Sequence, residues 1–194
     1  VTSHTVEPDD RLANGLIRQR AVDGYRHSLA LLSPDLRHRL LLLNDWPGGD
    51  GRTLTAVMLN PSTADALSSD ATWRRVCGYA RREGCSAAQA LNLFTLRATQ
   101  PRDLLSHSRD ERVDERADSV IADSIGQHPE RFVLVGWGEW AAHSLLRPRR
   151  LHVVELLRQV VGAAPLFCLG STASGEPVHP LRQRADAQLV EWAG

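Results

Sequence analysis

Asn60-Pro61-Ser62 ends the apolar run TLTAVML (53–59), and Val178-His179-Pro180-Leu181 answers it far along the chain. An asparagine at such a strand end can hold a water molecule or hydrogen-bond an amide-like edge. A serine hydroxyl can touch a phosphate, and a histidine can face a developing anion. Asp65 and Asp70 follow Asn60 closely, and either could supply the carboxylate that an asparagine lacks. Asn92, within the run AQALNLFTL (88–96), adds a second amide. The set suits water orientation and anion stabilisation better than covalent catalysis.

Other chemistries lack their residues. No G-x-S-x-G elbow is present, and no phosphate loop of the G-x-x-x-x-G-K type. All 23 Lys/Arg positions are arginine, so no lysine can act as nucleophile and every cationic contact is a guanidinium fork. The formal net charge is zero and gives no global argument for a nucleic-acid partner. Cys77, Cys85 and Cys168 are isolated, with no C-x-x-C or H-x-x-x-H pairing. No metal and no cofactor is therefore expected. The absence of a leader pattern or membrane-length apolar run, with the odd cysteine count, gives the expectation of a cytoplasmic protein without membrane contact.

Strands and helices must position these groups. Residues 1–23 are polar and mixed, and predict an arm with a short helix. The remainder, 24–194, reads as a single domain. YRHSLALL (25–32), HRLLLLNDW (38–46) and TLTAVML (53–59) are strand-like runs separated by Ser-Pro-Asp and Pro-Gly-Gly-Asp-Gly turns, which predicts an antiparallel meander. Helical spacing then marks 72–84, 114–126, 151–162 and a closing helix at 181–193. Strands are predicted at 90–93, 132–135 and 166–169. The alternation predicts an α/β fold: a three-layer sandwich with a central, mainly parallel sheet, preceded by the meander. In such sheets ligands bind beyond the carboxyl ends of the strands, where Asn60, Asn92, Gly136-Trp137-Gly138 and the 170–179 loop fall.

Two resemblances bear on these positions. Met58 to Asp65, reading Met-Leu-Asn-Pro-Ser-Thr-Ala-Asp, match the signature of a bacterial family of uncharacterised proteins. Asn92-Leu93-Phe94, Arg97-Ala98, Trp137-Gly138 and Pro177 to Leu181 resemble its later blocks. More distantly, VMLNPS, LNLFTLRA, VLVGWGEWA and VHPL resemble, in order, four motifs of the uracil-DNA glycosylase superfamily. That resemblance implies a DNA glycosylase-like N-glycosidase acting on a modified or damaged base, with a role in defence against foreign DNA as one possibility. Asn60 would hold the water, with Asp65 beside it, and His179 would face the departing base or a phosphate. Asn92 would read the base, Ser62 would touch a phosphate, and Trp73 would offer a stacking platform. Arg97, Leu181 and Arg182 would contact nucleic acid, Leu181 as an apolar wedge.

Plainer roles stand beside these. Trp73 lies on the apolar face of a predicted helix, where core packing is the simpler role. Trp137 suits packing, and Arg74, Arg75, Arg81 and Arg82 suit a solvated helix face. Hydrolysis of free nucleotides, or sensing of nucleic acid or nucleotides without turnover, would use the same pocket. A monomer is assumed.

Overall fold

The computed structural model describes residues 4–23, 26–130 and 132–194. Residues 1–3 of the predicted arm, Gly24, Tyr25 at the head of the first predicted run, and Arg131 lie outside the described residues. Nine strands form one sheet: β1 (His4–Arg11), β2 (Ile17–Asp23), β3 (Arg26–Leu32), β4 (Arg39–Asp45), β5 (Thr53–Met58), β6 (Ala87–Asn92), β7 (Val133–Val135), β8 (Leu166–Cys168) and β9 (Val190–Glu191). Their spatial order is β1-β2-β3-β4-β6-β5-β7-β8-β9. The helices are α1 (Ala71–Arg82), the single turn α2 (Arg109–Arg112), α3 (Ala117–Gly126) and α4 (Arg147–Val161).

The mainly parallel three-layer sandwich expected from the alternation is not what forms. Among the described residues five of the eight strand pairings are antiparallel and three are parallel. The reason lies in the connections. Parallel neighbours need a crossover, usually helical, whereas tight turns force antiparallel pairing. Among the described residues, helices intervene only from β5 onward. The meander also does not deliver β4 beside β5. β4 pairs antiparallel with β6, Leu42 opposite Ala90, and β6 pairs parallel with β5, Met58 opposite Asn92.

Two further corrections concern the ends. The helix expected within residues 1–23 is instead the hairpin β1–β2, which extends the sheet beyond β3. The helix expected over 181–193 is a short 3₁₀ turn at Pro180–Arg182, then irregular chain, then β9. Its carbonyls are taken by side chains of α1: Arg75 donates to the Gln183 carbonyl, Tyr79 Oη to that of Arg184 at 2.7 Å and Arg82 to that of Ala185 at 3.0 Å. Carbonyls engaged in this way are not free for a helical ladder.

The side-chain alternation of the central strands feeds two cores. Ala56, Met58, Ala88 and Ala90 join Trp73, Val76, Tyr79 and Ala80 of α1. Val57, Leu91, Val133 and Val135 join residues of α3 and α4 such as Ile121, Ile125, Val153 and Leu157. These helices anchor a stiff sheet edge on which the polar strand ends sit. Among the described residues no helix is long and apolar enough to cross a membrane.

Candidate functional site

Beyond β5 and β6 the chain keeps its pairing for a few residues. Leu93 N donates to the Met58 carbonyl at 2.8 Å, Phe94 N to that of Leu59 at 2.9 Å and Ala98 N to that of Pro61 at 2.9 Å. Asn60 sits in this extension, half-buried. Its Nδ2 donates to the Ala98 carbonyl at 2.8 Å and to that of Pro61 at 3.1 Å. The amide orientation is thereby fixed, and Oδ1 is the atom left to accept from a water or ligand.

Ser62 and Asp70 form the next layer. Asp70 caps α1, its Oδ1 accepting from Trp73 N at 2.7 Å, and its Oδ2 accepts from the Ser62 hydroxyl. Asp65 shapes its own loop: Oδ1 accepts from Leu67 N and Ser68 N, both at 3.0 Å. Arg97 holds this loop from behind through the Thr63 carbonyl at 2.8 Å, the Ser62 carbonyl at 3.4 Å and Asp65 Oδ2 at 3.4 Å. Asp65 and Arg97 are thus engaged in building the loop.

His179 arrives from the other side of the sheet's midpoint. Gly136 and Gly138, which follow β7, admit it closely. A Cβ on Gly136 would stand 2.9 Å from Pro180 Cδ, and one on Gly138, at φ +75°, 3.3 Å from His179 Cβ. Gly136 N is bonded to the Val57 carbonyl at 2.9 Å, so His179 and Pro180 sit against the strand next to β5. His179 Nδ1 accepts from Leu181 N at 3.3 Å, which assigns its proton to Nε2. Burial, and secondarily the Arg182 charge, hold its pKa below the ordinary value, against an opposing pull from Asp70. The imidazole is therefore a neutral Nε2–H donor. Leu181 and Arg182 beside it are exposed. No partner is seen for the Arg182 guanidinium among the described residues.

Asn92, the last residue of β6, is 2 % exposed. Its Oδ1 accepts from Arg39 Nη2 at 3.1 Å, while Nδ2 has no partner. Arg39 has no counterpart in the sequence reading. It opens β4, and because β4 runs antiparallel to β6, its first residue comes to the same edge as Asn92. A bulge aims it: Leu31 pairs with Leu41 but Leu32 with Arg39, and Leu40 and Leu41 both enter the same core. The extra residue turns Arg39 to the Asn92 side. A charged residue heading an apolar run was the only sign of it in the sequence.

The structure therefore gathers Asn60, Ser62, Asn92 and His179 at one sheet edge, with Asp65 and Arg97 as loop supports and Leu181 and Arg182 on the exposed flank. Trp73 does not join them. It is 3 % exposed in the core, and its indole N–H donates to Asn44 Oδ1 at 3.2 Å. Trp137 is also buried, as its packing role required. Its Nε1 donates to Glu176 Oε2 at 2.6 Å, and its ring meets Trp192 edge-on.

Residues 39–181 match the family model described as "Protein of unknown function (DUF1643)", and the chain belongs to that family. No curated protein matches the chain.

Proposed function

We propose that the protein is a DNA glycosylase-like N-glycosidase that releases a modified or damaged base from DNA. The observation that carries this is the fixed orientation of three polar groups at one sheet edge: Asn60 offers an acceptor, Asn92 a donor and His179 a donor. Base release passes through an oxocarbenium-like sugar while negative charge gathers on the departing base. Asn60 Oδ1 would hold the water on the sugar's far face, and Asn92 Nδ2 would bind the base oxygen. His179 Nε2–H would stabilise the departing anion, or a phosphate beside it. The motif likeness to the uracil-DNA glycosylase superfamily supports the same assignment. Exposed Leu181 and Arg182, next to His179, fit a wedge and a phosphate contact.

A second reading, a nucleotide-binding sensor without turnover, is favoured by one observation. Both carboxylates near Asn60 are already engaged, Asp65 by backbone N–H groups and Asp70 by Ser62 and Trp73 N. Duplexes carrying a panel of modified bases, incubated with the protein and then cleaved with alkali at abasic sites, separate the two. Strand breaks support base release. Binding without breaks supports the sensor.

A further inference from the structure

Arg39 is 3 % exposed, and among the described residues it meets no carboxylate. Nη1 donates to the Ala64 carbonyl at 2.8 Å and Nη2 to Asn92 Oδ1 at 3.1 Å, both neutral acceptors. Asp70 and Asp65 act on it only through space. Burial pulls its pKa down to about 10, which still leaves a full cation at neutral pH. Its Nε is buried without a partner, and so is Nδ2 of Asn92. Since a guanidinium can only donate, it fixes the Asn92 amide with the oxygen inward and the free N–H groups away from it. A buried donor left unpaired is destabilising, and here two stand on one bonded pair. The pair lacks an acceptor.

We infer that Arg39 and Asn92 form a donor-only subsite that takes a base edge presenting acceptors alone, as the O6/N7 edge of a 6-oxopurine does. The inference rests on the base-reading role proposed for Asn92. The guanidinium occupies the oxygen of Asn92, so the ring N–H of uracil finds no acceptor there. Adenine presents N7 but places an N6 donor where the subsite has donors. Arg39 Nη1 is bonded to the Ala64 carbonyl and both side chains are buried, so the subsite requires the Ala64 segment to move aside for a base to enter.

The test uses the full chain and free hypoxanthine, adenine and uracil, followed by calorimetry and by thermal melting. Hypoxanthine is expected to bind and raise the melting temperature, and adenine and uracil to bind at least about tenfold more weakly, as expected when a buried donor is left unpaired. Asn92→Asp supplies Arg39 with a carboxylate and removes the free donor. It is expected to melt no lower than the wild type and to lose hypoxanthine affinity about tenfold or more. The ranking of the three bases on the wild type stands as a test whether or not that variant folds. Equal binding of all three, binding of none, or an Asn92→Asp variant that binds like the wild type would overturn the inference. So would a water bridging Arg39 Nε and Asn92 Nδ2 that stays in place with hypoxanthine present. Hypoxanthine binding without base release from DNA contradicts the glycosidase reading alone. Release of a pyrimidine, with hypoxanthine unbound, contradicts the subsite alone.

Discussion

Arg150 turns inward to a carboxylate, whereas Arg39 turns inward to an amide and a peptide carbonyl. Glu176, 5 % exposed, accepts from Arg150 Nε at 3.0 Å and from Trp137 Nε1 at 2.6 Å through the same oxygen. Its backbone N–H is bonded to Thr172 Oγ1 at 3.2 Å. Charge and hydrogen bonds there are matched within the chain. At Arg39 the partners are neutral, and donors remain on both Arg39 and Asn92. The first arrangement ties the 170–177 loop to Trp137, just past β7, and to α4, with each of these donors given an acceptor. The second leaves two donors for which we propose that a ligand brings the acceptor. Buried polar groups in folded proteins are nearly always satisfied; among the described residues Arg18 and Arg149 each also bury one unpartnered nitrogen, but at Arg39 and Asn92 two such donors stand on one bonded pair.

Variants that unbalance each region sharpen the contrast. Glu176→Ala has the largest expected effect on stability. It leaves the Arg150 cation and the Trp137 N–H without their acceptor, and is expected to cost about 3–5 kcal/mol in urea unfolding. A loss under about 1 kcal/mol would place the two networks on the same footing. Gly136→Ala drives a methyl to 2.9 Å from Pro180 Cδ and must push the 178–180 segment away from β7. The expected cost is about 1–3 kcal/mol, with His179 displaced and ligand binding weakened. Asp70→Ala removes the N-cap of α1 and frees the Ser62 hydroxyl, with an expected loss of about 1 kcal/mol by thermal unfolding.

The smallest effect concerns pH. His38 and His179 are both held below the ordinary histidine value of 6.5, in each case mainly by burial. As pH falls through 6.5 the unfolded chain takes up protons that the folded protein refuses. Their contribution to stability is thus full above that value and declines as pH falls through it toward the lower folded values. Urea midpoints measured on either side of the ordinary value should show the decline. A double His38→Gln, His179→Gln variant should flatten it. An unchanged slope in that variant would assign the decline to other groups.

The legible part of the sequence was the part where local pattern decides structure. Apolar runs ending in polar turns located β5, β6, β7 and β8, and with them Asn60 and Asn92. Helical spacing located α1, α3 and α4 to within a few residues. What was not legible depends on partners distant in sequence. The segments that became β1 and β2 are polar along much of their length, and sequence pattern alone gave no partner for them. The 181–193 segment has helical spacing, but Arg75, Tyr79 and Arg82 claim its carbonyls. Arg39 required two facts that no local pattern carries: that β4 pairs with β6, and that a bulge turns its first residue toward Asn92. Trp73, whose spacing suited either role, went to the core because its ring packs behind β6 and its N–H finds Asn44.

The most direct test of the account is base release by the wild type, Asn60→Ala and His179→Ala proteins on duplexes carrying a panel of modified bases, read as alkali-labile strand breaks. The wild type is expected to leave abasic sites at one class of base. Each variant is expected to be slower by a factor on the order of 10²–10³ while still unfolding cooperatively, because each loses one positioned group at a polar edge. Release by both variants at the wild-type rate, or no release of any base by the wild type, would contradict it.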